Sequence, residues 1–449
     1  MVAIGNGVNF TSEDGINFVE HPVERTDNQN PSWAAYSGPD YFNLTPQLLP
    51  GVGNGEVVCC TLVHYEDRLP VRTTKSRTDD RTTATWDGET LAQYSGAYAR
   101  AMSPAKPKLW DGTQFIAEAR GPFPNHSRLR SQQMLVSDDG ETWDLVSGGY
   151  FADGPMAYGG GVYVGGNSLG RVSYSADLDS WVQSRSNISQ DWLKSFRAAH
   201  YAAGIFVLVG DFGLIVKTAD GTVPQVVKPT VYLSSMQANS ALDASQLLGI
   251  THTGTTWVMV GTASGIPAIY TGSSLNVLTS VDCPYNRIFG GFDGEFAGLR
   301  AVHYAGGRLV AVGAKAVKNR DFSIKTNPLI ITSTDGGATW SDVSFYCTIG
   351  ADVGAYLPAD LWSVVRLDSG LWIAVGMNCD ATSTDGVTWV PRPHKRNYIP
   401  RVYRDPPIFQ KTRSHLVTNG TLAICNVNEN TDFLNTIEST TDGVNWTAL

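Results

Sequence analysis

An all-β chain built from repeated pairs of hairpins is what this sequence predicts, and three observations carry the expectation. A phrase of the form Ser/Thr-x-Asp-Gly-x-Thr-Trp recurs along the 449 residues. A second phrase, two apolar runs around a Gly turn with the later run ending in Val-Gly, stands upstream of the copies. The composition agrees: 46 Gly, 12 Trp and 18 Tyr suit tight turns and short half-buried strands, because Gly reaches positive φ and aromatics pack on a pleated surface.

The first phrase is closest to regular at Ser137–Trp143, Ser333–Trp340 and Ser383–Trp389. Weaker copies lie at Thr440–Trp446, Ser12–Phe18 and Ser175–Trp181, and eroded ones near Thr218–Gly221 and Thr271–Ser273. Its chemistry is that of a hairpin clamp: Asp-Gly makes the turn, the hydroxyl and carboxylate accept from nearby backbone N–H groups, and Trp anchors the return strand. Ser137, Asp139, Trp143, Ser333, Asp335, Trp340, Ser383, Asp385, Trp389, Asp442 and Trp446 are therefore expected to be structural, as is Asp138.

The second phrase reads clearly at Ala198–Gly210 and Ala301–Gly313, with similar text around Gly112, Gly160, Gly254, Gly370 and Gly420. Two hairpins per unit give four antiparallel strands, and radial stacking of such sheets limits exposed edges. The expectation is a single β-propeller over 1–449 with about eight four-stranded blades, seven being the alternative, and with loop insertions. Copies are spaced by about 40–60 residues, a blade length. The longer interval from Ser12 to Ser137 is expected to hide an eroded unit with strands at Glu56–Val63 and Val71–Thr74. Val2–Phe18 aligns without gaps to Ile373–Trp389, so residues 1–20 are expected to form a partial first blade that begins in its second strand.

The first phrase resembles the Asp-box, or BNR repeat, of sialidases, photosystem assembly factors, sortilin-like receptors and phage virion proteins. That resemblance implies a clamp on the outer hairpin of each blade, away from the central site. It also invites a sialidase reading, which the residues do not support: the early Arg-Ile-Pro phrase is absent, and Ile399-Pro400-Arg401 carries its letters in another order late in the chain. No catalytic set, cofactor or metal site is expected. The six cysteines lack zinc-ligand spacing and read as buried thiols, and the eight histidines form no ligating pair.

A net charge of -9 argues against general nucleic-acid binding, which rests on Lys and Arg neutralising phosphates. No apolar run reaches a membrane-spanning length, and the first residues lack the pattern of a signal peptide, so membrane insertion and signal-directed secretion are not expected. Binding is expected where the repeats leave residues unexplained. Arg197 and Arg300 occupy equivalent positions at the start of innermost strands, near the mouth of the ring, and His200 and His303, with Arg366 aligned to them, read as packing residues. Insertions at Asp67–Thr83 and Gly121–Gln132 are rich in Arg. An inserted basic loop over 391–413 brings together Arg392, Lys395, Arg396, Arg401 and Arg404. The resulting expectation is a non-enzymatic interaction propeller, a phage virion component of the tail (nozzle, fibre-associated or receptor-binding) made in the host cytoplasm. Its partners would be other virion proteins or a host-surface glycan or receptor, with homo-oligomers compatible. A carbohydrate-binding or glycoside-hydrolysing cell-surface propeller and a soluble assembly factor are the alternatives.

Overall fold

The computed structural model describes the strands of residues 2–85 named below and residues 103–120, 134–146, 154–167, 170–184, 194–234, 242–263, 265–285, 298–318, 324–345, 359–394, 411–429 and 435–448. The chain divides into two compact units, Met1–Met102 and Ser103–Leu449. In the first, Val2–Gly5, Val8–Thr11 and Val19–Pro22 form a three-stranded antiparallel sheet. Ser37–Gly38, Tyr41–Asn43, Val57–Val63, Val71–Lys75 and Arg81–Thr85 form a five-stranded one that includes the two strands expected near 56–74. The phrase at Ser12–Phe18 and the insertions at Asp67–Thr83 and Gly121–Gln132 lie wholly or in part outside the described residues.

Among its described residues the second unit holds four four-stranded sheets, one of five strands and one of eight, which resolve into seven groups of four antiparallel strands. Their inner strands are Ser103–Trp110, Met156–Gly159, Phe196–Ala202, Ser245–His252, Gly298–Ala305, Asp360–Arg366 and Lys411–Thr418, defining blades I to VII. Blades VI and VII share a single ladder pair, Met377↔Thr412, which joins them into one continuous sheet. Each junction between blades has its own apolar cluster, for example Val310 and Val312 of blade V against Val364, Trp372 and Ala374 of blade VI. The last junction closes the ring, with Ile424 and Ile437 of blade VII against Phe115 and Ala117 of blade I. The expected all-β propeller architecture is present, and the described sheets of the second unit pack on one another in sequence from blade I round to blade VII and back.

The recurring phrase forms the turn between third and outer strands. In blade I the Asp139 carboxylate accepts from the Ser137 hydroxyl at 2.9 Å and from the Glu141 and Thr142 amides at 2.8 and 2.7 Å. The same pattern recurs around Asp177, Asp335, Asp385 and Asp442. These N–H donors hold the Asp139, Asp335 and Asp442 carboxyls near 2, well below the usual carboxylate range, and Asp385 lower still. The Gly of the turn has positive φ and lies against the preceding blade: a Cβ on Gly140 would come within 2.8 Å of Leu422. In blade II Leu178 holds this place at φ 65 and is buried. The Trp enters the same junction, so Trp340 of blade V packs with Val258 and Val260 of blade IV. The clamp therefore fixes its hairpin and also ties each blade to the one before.

The ends of the ring differ. At one end the chain turns tightly between inner and second strands (111–114, 160–161, 203–204, 253–256, 306–307, 367–371, 419–422) and through the Asp turns. At the other end are the turns between second and third strands, and there the outer strand of each blade ends and the chain passes to the inner strand of the next. One of these connections contributes Thr230–Leu233, which adds a fifth strand parallel to the outer strand of blade IV.

Candidate functional site at the mouth of the ring

In blades III to VI a Val-Gly of the second strand shapes the mouth. A Cβ on Gly210, Gly261, Gly313 or Gly376 would lie 1.8–2.0 Å from a backbone oxygen of the inner strand, so only glycine permits that approach. At the same level the inner strand carries a β-bulge between Phe196 and Ala198, Leu247 and Gly249, Leu299 and Ala301, and Leu361 and Ser363. The residues set apart from the ladder are Arg197, Leu248, Arg300 and Trp362. A bulge of this kind re-aims a side chain at a strand end.

Arg197 and Arg300 are thus equivalent, as the sequence predicts, and both are paired. Arg197 Nε and Nη2 donate to the two oxygens of Asp211 at 2.9 Å each, which raises the arginine pKa. Arg300 reaches across the V–VI junction to Asp360, with Nε and Nη2 both 2.6 Å from Oδ2. Burial pushes the Asp360 carboxyl up, and the Arg300 charge offsets part of that rise. Beside each pair stands an exposed aromatic. Phe212 follows Asp211, is 52% exposed and has φ 54. Trp362, 37% exposed, has the Arg300 guanidinium 4.8 Å from its ring centroid.

Sequence reading did not find Asp211, Phe212, Asp360 or Trp362. A gapless alignment on the Val-Gly phrase sets Ser363 beside Arg300, because the hairpin 367–371 of blade VI is one residue longer than its counterpart in blade V. The ladders correct a second assignment for the same reason: Val365, paired with Ile373, is equivalent to His303, paired with Val310, while Arg366 corresponds to Tyr304. His200 and His303 pack edge-on against Trp257 and Trp372 of the next blades, and burial lowers both to about 4.

The basic segment separates into strands and a remainder. Arg392 lies on the exposed outer strand Val390–Pro393, opposite Asp380, and residues 411–413 begin the inner strand of blade VII, so the expected loop 391–413 is bounded by blade strands. Lys395, Arg396, Arg401 and Arg404 lie outside the described residues. Between the strands is a buried network: Arg413 pairs with Asp380 and, at 2.6 Å, with Glu438, Lys411 Nζ is 2.6 Å from Glu438, and His394 Nε2 is 3.0 Å from Asp380. Burial alone would raise the Asp380 carboxyl, but His394 and Arg413 hold it below its usual value. Burial pushes the neighbouring Cys425 thiol well up, which makes it inert. Among the described residues no three His, Cys, Asp or Glu side chains converge as metal ligands.

The geometry defines an all-β propeller with a constructed mouth and a display end. No family model matches the chain, and no curated protein matches it. Solved structures do resemble it. "YCF48 from Cyanidioschyzon merolae" is 10% identical, with 73% of this chain and 94% of that one covered at a TM-score of 0.46. "YCF48 bound to D1 peptide" is 12% identical, with 72% and 89% covered at 0.44. A chain of the "Mitotic Checkpoint Complex" is 11% identical, with 73% and 89% covered at 0.42. These are distant likenesses, and the fold rests on the strand ladders described above.

Proposed function

We propose that this chain is a non-enzymatic interaction propeller acting as a structural component of a phage virion, in the tail as a nozzle, fibre-associated or receptor-binding element. The observation that carries the interaction reading is the asymmetry of the described strand ends: at one end they are joined by short clamped turns, while at the other the outer strand of each blade ends and the chain passes to the next. A rigid scaffold with variable segments at one end is suited to docking. The Asp-box character supports the same reading, since the carboxylates of its turns are engaged by backbone N–H groups. The likeness to virion propellers gives the finer assignment. Particles purified from the host culture and probed with antiserum should contain the chain in fixed stoichiometry. Recovery only from the host's soluble fraction would overturn the virion role, and co-purification there with one host protein would favour an assembly factor.

A carbohydrate-active propeller is the second reading, favoured by the exposed Phe212 and Trp362. Asp211 and Asp360 are each held by an arginine, which suits them to positioning, so binding rather than hydrolysis is the form of this reading we adopt.

A further inference from the structure

Exposed aromatics in a folded chain need a reason when the backbone is bent to present them. Phe212 sits in the left-handed region at φ 54, an arrangement that is an outlier for a bulky residue and that Gly would adopt without strain. Trp362 is set out by a β-bulge, and the guanidinium of Arg300, fixed by Asp360, lies against its ring. The two presentations share one plan, an arginine at the bulge, an aspartate that neutralises it and an exposed aromatic beside that aspartate, yet they use different elements. Phe212 follows a second strand and Trp362 lies in an inner strand. Both are at the mouth end, because Gly210 pairs with Phe196 and Gly376 with Leu361, where those inner strands begin.

The chemistry of each position is an apolar face next to a hydrogen-bonding group without net charge. Neither Arg197 nor Arg300 commits its Nη1 among the described residues, and each guanidinium is balanced by its own carboxylate. A phosphate or carboxylate ligand would find its positive partner already neutralised. A pyranose fits better: its C–H face stacks on an aromatic ring while its hydroxyls accept from the free Nη1. Phe212 belongs to blade III and Trp362 to blade VI, so one ligand reaching both must contain several sugar units.

We propose that the mouth of the ring binds an uncharged oligosaccharide, with Trp362 and Phe212 as stacking platforms and Arg300 and Arg197 as hydroxyl donors. The inference rests on the carbohydrate reading given above, which it deepens, and does not depend on the virion reading. Calorimetric titration of the full chain with cellohexaose, maltohexaose, laminarihexaose, chitohexaose and mannohexaose, and with hexagalacturonate as a charged control, tests it. At least one neutral hexasaccharide should bind, and more tightly than hexagalacturonate. Trp362→Ala should weaken that binding by about tenfold or more, the scale of losing one central aromatic contact. Phe212→Gly should also weaken binding while raising the melting temperature, since it removes strain; those opposite signs separate lost recognition from lost folding. Absence of binding to every neutral probe, equal or tighter binding of hexagalacturonate, or unchanged affinity in both variants would each overturn the proposal. None of those results bears on whether purified particles contain the chain.

Discussion

The indole Nε1 of Trp340 donates to the carbonyl oxygen of Gly337 at 3.0 Å, and the ring fills the junction with the preceding blade. Trp143 and Trp181 repeat the relationship with Gly140 and Leu178 at 3.2 and 2.7 Å. One side chain thus closes its own turn and cements two blades. Trp340→Ala should lower the free energy of unfolding by about 3–5 kcal/mol, the usual cost of emptying a large buried aromatic site. Val387→Ala, at an exposed position of the corresponding turn in blade VI, should cost less than about 0.5 kcal/mol. Urea unfolding followed by tryptophan fluorescence compares them, and equal losses would mean the junctions are not where stability resides.

Acid should act on the ring in two stages. His200 and His303 have folded values near 4 against an unfolded value near 6.5, so the unfolded chain takes up protons first and stability falls as pH drops from about 6.5 to 4. Each contributes at most roughly 3 kcal/mol across that window. The turn aspartates have depressed values near 2, so their contribution is present above about pH 4 and is lost as pH falls towards 2. Urea midpoints measured from pH 7.5 to 3 should decline from 6.5 downward, and His303→Phe should flatten the upper part of that decline. A flat profile between pH 6.5 and 4 in the unmodified chain would refute the buried-histidine account.

Much of the blade was legible because its signals are local. The Asp turn places hydroxyl, carboxylate, Gly and Trp within eight residues, and the Val-Gly of the second strand records a close backbone approach to the inner strand. The mouth was half legible. Arg197 and Arg300 stand out by repetition, but Trp362 is concealed by a one-residue change in hairpin length, and Phe212 has no repeated counterpart. Ring closure was not legible: strands in residues 1–85 resemble blade strands in text, and the packing of Ile424 on Phe115 joins residues far apart in sequence.

The Arg413 network should respond unevenly to substitution. Arg413 neutralises both Asp380 and Glu438 in a buried setting, so Arg413→Met leaves two carboxylates without that partner and should cost about 3–5 kcal/mol. Adding Asp380→Asn and Glu438→Gln removes the stranded charges and should restore a substantial part of the loss, because replacing a whole buried charge group is far cheaper than breaking it. Denaturant unfolding of the single and triple variants makes the comparison. A triple variant less stable than Arg413→Met would show that the side chains act chiefly by packing.

Residues 395–410 should be replaceable without loss of the ring. Their flanks are joined by hydrogen bonds of the fold itself: Asn378 N donates to the Lys411 carbonyl, His394 N donates to the Asn378 carbonyl, both at 3.0 Å, and His394 Nδ1 lies 3.0 Å from the Lys411 oxygen. Residues 395–410 join two positions that blades VI and VII already hold, and the entropy of joining such ends depends only weakly on the length of chain between them. A Gly/Ser segment of equal length should therefore leave the melting temperature within a few degrees of the original. The segment carries Lys395, Arg396, Arg401 and Arg404 against Asp405, in a chain of net charge -9, which suits it to an acidic partner surface. Replacement should abolish capture of the acidic partner proposed for this segment, and reversing Arg401 and Arg404 to Glu should weaken it in a salt-dependent way, since exposed charge pairs are screened by ions. Unchanged capture by the Gly/Ser variant would place docking elsewhere on the display end, and a collapse in melting temperature would mean that 395–410 helps hold blades VI and VII together.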